Sequence, residues 1–392
     1  MPGTLPAHEY AILQCCRKFT GYLDYLFNDD VFDYFDDVQV KLENNGIRVG
    51  ARFLKDIVML EMMRIHVGID SYEAFSVICE MLGATMVLDQ FQHVHYLPSV
   101  QDFSRAFHAV PKSYFTMFFN IILDQCVELG LVNFDVIIWD GQFIRANCSN
   151  QRSKATGKYT DPDAGYYRHD GKKLGAGYVA STFYAYCGNY LVPVYCEIVP
   201  GNQNDSITFS GGFKRYLSLG HPKPKVVIAD GGPYSFSTLQ WISKLGIIPL
   251  INSRENIRRQ NVKKVGSHLY INMDFIPRNW TAADIRCMYP VRTSIERAFS
   301  HNVQVYKARR VNVRGRDSVY KHRLLISCLD LLKFKRAFLI GRPDLIGKSR
   351  VFIRNRYTGR LFAYKEMQAA GFSLIDEFTP DPALLFEHFD KS

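Results

Sequence analysis

Three acidic residues of this 392-residue sequence stand where a hydrophobic framework would hold their carboxylates in place. Asp140 closes the apolar run Val136, Ile137, Ile138, Trp139 and precedes Gly141. Asp230 closes Val226, Val227, Ile228, Ala229 in the same way, ahead of Gly231, Gly232 and Pro233. An Asp just after an apolar strand has its backbone fixed by the core while its side chain reaches solvent, which suits a preorganised metal ligand. The same residue also serves as a helix N-cap or turn aspartate. Either site alone is ambiguous, but two matching cases on strands able to be neighbours favour the ligand reading. Glu296 lies in YPVRTSIERAF (289–299), where Arg292 and Glu296, four apart, share one helical face. That is an ordinary ion pair, or the last part of an oxygen-only site for two Mg²⁺ or Mn²⁺ ions. Hard divalent cations prefer carboxylates and waters. A pair about 4 Å apart activates a water or hydroxyl and stabilises the leaving oxygen of a phosphodiester.

The elements that must position these acids change character along the chain. From Arg52 to Leu129 apolar residues recur near helical spacing, with Pro111 opening a helix that Gly130 stops. From Phe134 the texture becomes short β-branched and aromatic runs divided by Gly and Pro. Strands are expected at Phe134 to Trp139, Tyr178 to Cys187, Val192 to Val199, Val226 to Ala229 and Ile247 to Ile251. Helices are expected at Ser206 to Leu217, Ser235 to Leu245 and Pro290 to Ser300. Three strands, a helix, a strand, a helix and a strand make an α/β sandwich on a mixed sheet, its first three strands a meander. The polar stretch Arg145 to Gly177 reads as a long loop. The expected organisation is a helical domain over 1–130, the α/β domain over 131–345, and a tail over 346–392 with no assigned chemistry.

Charge separates these parts. Residues 1–130 carry 9 Lys+Arg against 17 Asp+Glu, whereas 251–348 carry 21 against 7. A basic excess through nearly 100 residues points to nucleic acid, whose phosphates supply sequence-independent affinity. Lys307, Arg309 and Arg310, with Arg314 and Arg316, would suit a row of phosphates; the alternative is a solvated basic face. No run is apolar enough to cross a membrane, and MPGTLPAHEYAIL lacks the plan of a secretory signal, so the cytoplasm is expected. Nine cysteines with no CxxC pair read as reduced thiols. The His93-Val94-His95 run would need a third ligand to bind zinc. Neither GxxxxGK[ST] nor GxSxG occurs, so neither a P-loop ATPase nor a serine hydrolase has support. A glycosidase reading of the paired acids leaves the basic region without a purpose.

At IIWDGQ, VVIADGGPYS and ERAF, together with DPDAGYYR and GNQNDS between them, the chain resembles the DDE transposases of prokaryotic insertion sequences. The resemblance covers roughly 134–340. Tyr289, Arg292 and Glu296 match the first three letters of that family's Tyr-Arg-Glu-Lys signature; Val303 holds the fourth place and the nearest lysine is Lys307. The resemblance implies a ribonuclease-H-like mixed sheet flanked by helices, preceded by an all-α N-terminal domain used for end recognition or dimerisation. It implies that Asp140, Asp230 and Glu296 hold two Mg²⁺ or Mn²⁺ ions. It also implies that Tyr289, Arg292, Arg297, Lys307, Arg309 and Arg310 contact double-stranded DNA, and that two copies pair in a synaptic complex. The activity implied is cleavage at transposon ends and 3′-hydroxyl strand transfer. A metal-dependent nuclease or resolvase, or a silent DNA-binding derivative, remains open. Asp205 in GNQNDS is a weaker candidate for positioning the sheet or the DNA, with a helix N-cap as its plainer role. Asp161 and Asp163 are read as structural loop residues.

Overall fold

The computed structural model describes residues 29–341 apart from 51, 67, 70, 82–93, 95, 150, 152, 155, 170–171, 189, 254–260, 305, 307, 309–310 and 340. It divides into two compact units, one ending at Val110 and one running from Pro111 to Leu339. His93 and His95 lie outside the described residues, as does the tail from 346.

The described part of the first unit is helical: α1 (Tyr34–Asn44), α2 (Leu54–His66), α3 (Tyr72–Met81) and α4 (Val100–Ala109). Helix α2 is its centre, with every residue from Asp56 to His66 buried. That includes a Glu61–Arg64 pair at 2.6 Å, which survives burial because each charge is neutralised within the helix.

The second unit opens with α5 (Lys112–Glu128), entered from Pro111, which already has the φ that a helix start requires. The sheet strands follow: β1 (Val136–Arg145), β2 (Gly165–His169), β3 (Lys172–Tyr186) and β4 (Leu191–Pro200). Next come α6 (Asp205–Leu217), β5 (Val226–Ala229), α7 (Phe236–Lys244) and β6 (Ile248–Ile251). A small antiparallel pair, β7 (Val262–Lys264) and β8 (Tyr270–Asn272), precedes α8 (Ala282–Met288), a 3₁₀ turn (Tyr289–Arg292), α9 (Thr293–Gln304) and α10 (Arg316–Leu339).

The sheet runs β4-β3-β1-β5-β6, with β2 paired to the first half of β3. β1, β3 and β4 form the antiparallel meander, and β5 and β6 lie parallel to β1. This is the expected ribonuclease-H-like mixed sheet. On one face Trp139 and Phe183 pack against Phe209 of α6, and Phe213 of α6 meets Trp241 of α7. On the other, Ile138, Ile228 and Leu250 cluster with Ile285 of α8 and Ile295 of α9.

Three local expectations need correction. Asp140 does not end β1. The strand runs on to Arg145 because β3 pairs with it throughout, placing Gly141 opposite Ser181. Gly141 is there for space: a Cβ would come within 2.9 Å of the Val179 side chain. The stretch Arg145 to Gly177 is not one long loop either, since β2 and the first half of β3 form a hairpin within it. Thirdly, α5, expected with the front helices, packs against α10, where Thr116 meets Tyr320 at 3.1 Å and Lys335 reaches Gln125 at 2.9 Å.

Asp161 and Asp163 have structural roles. Fully buried Asp161 accepts from the Tyr178 hydroxyl at 2.7 Å and from the Gly315 N–H at 3.1 Å. Asp163 accepts from the Arg316 N–H at 3.1 Å, so the two acids satisfy donors at the start of α10. Asp161→Ala leaves a buried hydroxyl and an amide without their acceptor and is expected to cost about 2–3 kcal/mol in denaturant unfolding, against about 1 or less for the exposed Asp163→Ala. Equal losses from the two variants would contradict this division.

Candidate catalytic site

Register builds the site. In the parallel ladder Ile138 pairs with Ile228, so two residues further on Asp140 and Asp230 stand side by side. Neighbouring strands are separated by about 4.8 Å, and residues two apart share a face. Ile138 and Ile228 both belong to the cluster facing α9, which sends both carboxylates to that same face. Each carboxylate also accepts one backbone N–H, Asp140 from Gly141 at 2.7 Å and Asp230 from Gly232 at 2.9 Å.

The 3₁₀ turn and α9 supply the rest. Tyr289 donates its hydroxyl to the Ala229 carbonyl at 3.1 Å, tying the turn to the end of β5 beside Asp230. Burial pushes the Tyr289 phenol up to about 12, so it stays a donor at neutral pH. Ile295 is buried in the sheet-facing core, and the neighbouring Glu296 is left on the rim, its side chain 63% exposed. Arg292 lies between the acids: Nη1 is 3.5 Å from Glu296 Oε1 and 3.9 Å from Asp140 Oδ2. Burial opposes its charge, but Tyr289, Asp140, Asp230 and Glu296 together hold its pKa above the ordinary value.

Asp140 shows the consequence of packing two acids together. Burial first, and the charge of Asp230 second, push its carboxyl up to about 7 despite the lowering effect of Arg292. Asp205 adds to the repulsion. It is not the N-cap of α6, a role taken by Asn204, whose Oδ1 accepts from Ser206 N–H at 2.8 Å. Its carboxylate instead lies against the turn after Asp230, so close that a Cβ on Gly232 would come within 2.6 Å of Asp205 Oδ2. The sequence signal for this was the Asp230-Gly231-Gly232 run.

The structure thus joins Asp140, Asp230, Arg292 and Tyr289, with Glu296 attached through Arg292 rather than closed onto the aspartates. Among the described residues, no three His, Cys, Asp or Glu side chains are close enough to hold a metal ion. Exposed Arg297 turns toward Ser294 at 3.2 Å. Lys307, Arg309 and Arg310 lie outside the described residues.

Residues 133–330, half of the chain, match the family model described as a transposase DDE domain. The chain belongs to the DDE transposase family. The matched span starts just before β1 and ends within α10, so the transposase domain includes both strand aspartates and α9. No curated protein matches this transposase. A solved structure, a piggyBac transposase synaptic complex with hairpin DNA, is similar to it at a TM-score of 0.41 and 11% identity, over 92% of this chain and 86% of that one. No described helix is long and apolar enough to cross a membrane.

The raised Asp140 pKa makes a pH signature. An unfolded Asp titrates near about 3.9. Between there and about 7 the folded chain keeps a proton that the unfolded chain has released, so stability falls as pH rises through that window. In chelator, Asp140→Asn is expected to be more stable than wild type at pH 8, by up to about 4 kcal/mol, and little different near pH 4. Thermal unfolding at both pH values measures this, and an equal gain at the two would assign it to another cause.

Proposed function

We propose that this DDE transposase cuts DNA at transposon ends and joins the freed 3′-hydroxyl to target DNA, using two Mg²⁺ or Mn²⁺ ions held by Asp140, Asp230 and Glu296. The observation that carries this reading is the in-register placement of Asp140 and Asp230 on adjacent parallel strands, inside the matched domain. Burial, with the charge of Asp230 added to it, lifts the Asp140 pKa to about 7, and both effects are relieved by a divalent cation. Their oxygens, with those of Glu296, are the donors such ions prefer. The buried Nη1 of Arg292, facing two of these acids without a hydrogen bond among the described residues, supports the reading that the acids are placed to attract positive charge.

In the cleavage step a water oxygen attacks the end phosphorus and the bond to the 3′ oxygen breaks, leaving a 3′-hydroxyl and a 5′-phosphate. In the joining step that hydroxyl attacks a target phosphorus and a target 3′-hydroxyl leaves. Bound ions lower the pKa of the attacking oxygen and stabilise the leaving one. The chain's own part is positional. The sheet fixes Asp140 and Asp230, and α9 presents Glu296 from the opposite side of Arg292. Arg292 and Tyr289 face the scissile phosphate, and Arg297, Lys307, Arg309 and Arg310 hold backbone phosphates farther along. The helical first unit is assigned end recognition or dimerisation, in a homodimeric synaptic complex in the cytoplasm.

Asp140→Ala, Asp230→Ala and Glu296→Ala are each expected to abolish Mg²⁺- or Mn²⁺-dependent cleavage and strand transfer on DNA flanking the chain's own gene, with DNA binding kept. Cuts without joining in the wild type would make the protein a nuclease, and binding without either would make it a DNA-binding derivative. Neutralising Arg309 and Arg310 is expected to weaken binding to any sequence and to reduce the salt slope by about 2. An unchanged slope would remove both from the phosphate-contacting set.

A further inference from the structure

Arg292 is placed by the fold but not bonded to the acids it faces. Its backbone closes the 3₁₀ turn, which the Tyr289 hydroxyl ties to Ala229 and the Thr293 hydroxyl ties to the Pro290 carbonyl at 2.8 Å. Its Nη1 is buried, yet it makes no hydrogen bond among the described residues. It stands 3.5 Å from Glu296 and 3.9 Å from Asp140, distances of ion pairing rather than of a locked guanidinium–carboxylate fork. A single guanidinium is thus the cation for a group of carboxylates whose summed charge exceeds its own.

We propose that Arg292 is an exchangeable internal cation that couples DNA binding to metal binding. Without DNA, its guanidinium lies between Asp140 and Glu296 and competes with divalent ions for them. When DNA docks, a backbone phosphate draws the guanidinium away, since phosphate offers the fork two hydrogen bonds that the acids here do not. Glu296, released from its partner, is then free to close toward Asp140 and Asp230. The transposase thereby acquires its full metal affinity only once its substrate is in place, which protects DNA elsewhere from an armed site. By linkage, DNA and metal each raise the other's affinity by the same factor. The proposal rests on the metal and DNA roles given above for these residues.

The test is Mn²⁺ binding to the full chain by titration calorimetry at fixed ionic strength, without DNA and with a duplex taken from the sequence flanking its own gene. Without DNA, Arg292→Gln is expected to bind Mn²⁺ about ten-fold more tightly than wild type, because it removes a charge in contact with the ligands. Arg286→Gln, an equal charge loss at an exposed arginine of α8 outside the residues assigned to DNA or metal, is expected to change affinity by about two-fold or less. The duplex is expected to raise Mn²⁺ affinity several-fold more in wild type than in Arg292→Gln. Equal gains from the two glutamine variants, or the same DNA effect with and without Arg292, would overturn the coupling and leave the site's assignment standing. Unchanged Mn²⁺ binding in Asp230→Asn would overturn the site's assignment and the coupling with it. Should Arg292→Gln fail to fold, Arg292→Lys decides. It keeps the charge but lacks the fork, so a weakened DNA effect supports the proposal and an unaltered one refutes it.

Discussion

Two carboxylates at about one strand spacing, held there by the β1–β5 ladder, are the constraint to which the rest of the site answers. The backbone cannot relax the repulsion, because Ile138 and Ile228 lock the register from inside the core. Relief must come from a proton, a cation or a basic side chain. The chain uses the first and third: a carboxyl at about 7 and Arg292. The location follows from topology. β1 is where the sheet changes sense, with its antiparallel neighbour on one side and a parallel one on the other. The parallel ladder stops at Ile138 and Ile228 while β1 continues along β3 alone, so the two acids stand where the sheet loses its parallel neighbour.

Much of this was legible in the sequence, for physical reasons that differ from residue to residue. The apolar runs before Asp140 and Asp230 announce buried strands, and the spacing of Arg292 and Glu296 announces one helical face. The mistaken parts share a cause. Glycine punctuates a local pattern, but the sheet uses it for close approach: a Cβ at Gly177 would lie 2.2 Å from the Ile144 carbonyl oxygen, and one at Gly141 would meet Val179. Gly in a strand interior carries that second meaning, and only the partner strand tells the two apart. So the local pattern alone ends a strand at Asp140 and shortens β3, whereas the sheet extends both. The role of Asp205 is legible only in part: the Gly231-Gly232 run marks a close approach after β5, but nothing local says that the start of α6 supplies the residue that makes it.

The anchoring of α9 is also tertiary. Of this helix only Ile295 and Asn302 are fully buried, with Ala298 and Phe299 half-buried against the same core. A polar bridge adds to this packing. With its amide oriented to satisfy both partners, Asn302 accepts from Arg323 Nη1 and Nη2 at 3.0 Å each, and Arg323 Nη2 also donates to the Tyr184 hydroxyl at 3.1 Å. Burying a guanidinium is costly unless its donors are met, and the partners that meet them specify one seating for the helix. The bridge lies near the end of α9, however, and Glu296 is in its first turn, where the exposed side chain has only Arg292 for an ion-pair partner among the described residues.

The site therefore has two parts of unequal rigidity. Asp140 and Asp230 are set by a hydrogen-bonded sheet and a buried core, whereas the Glu296 side chain is set by one loose ion pair on the exposed side of a helix whose buried side is anchored by Ile295 and Asn302. Carboxylates on the sheet cannot adjust to a ligand; in the coupling proposed above the glutamate does, by exchanging Arg292 for another cation. A divalent ion attracts it more strongly than a guanidinium does, since the charge is doubled and the ion is compact. Under the proposed function, the sheet pair is the part of the metal site already in position, and Glu296 is the part left to adjust.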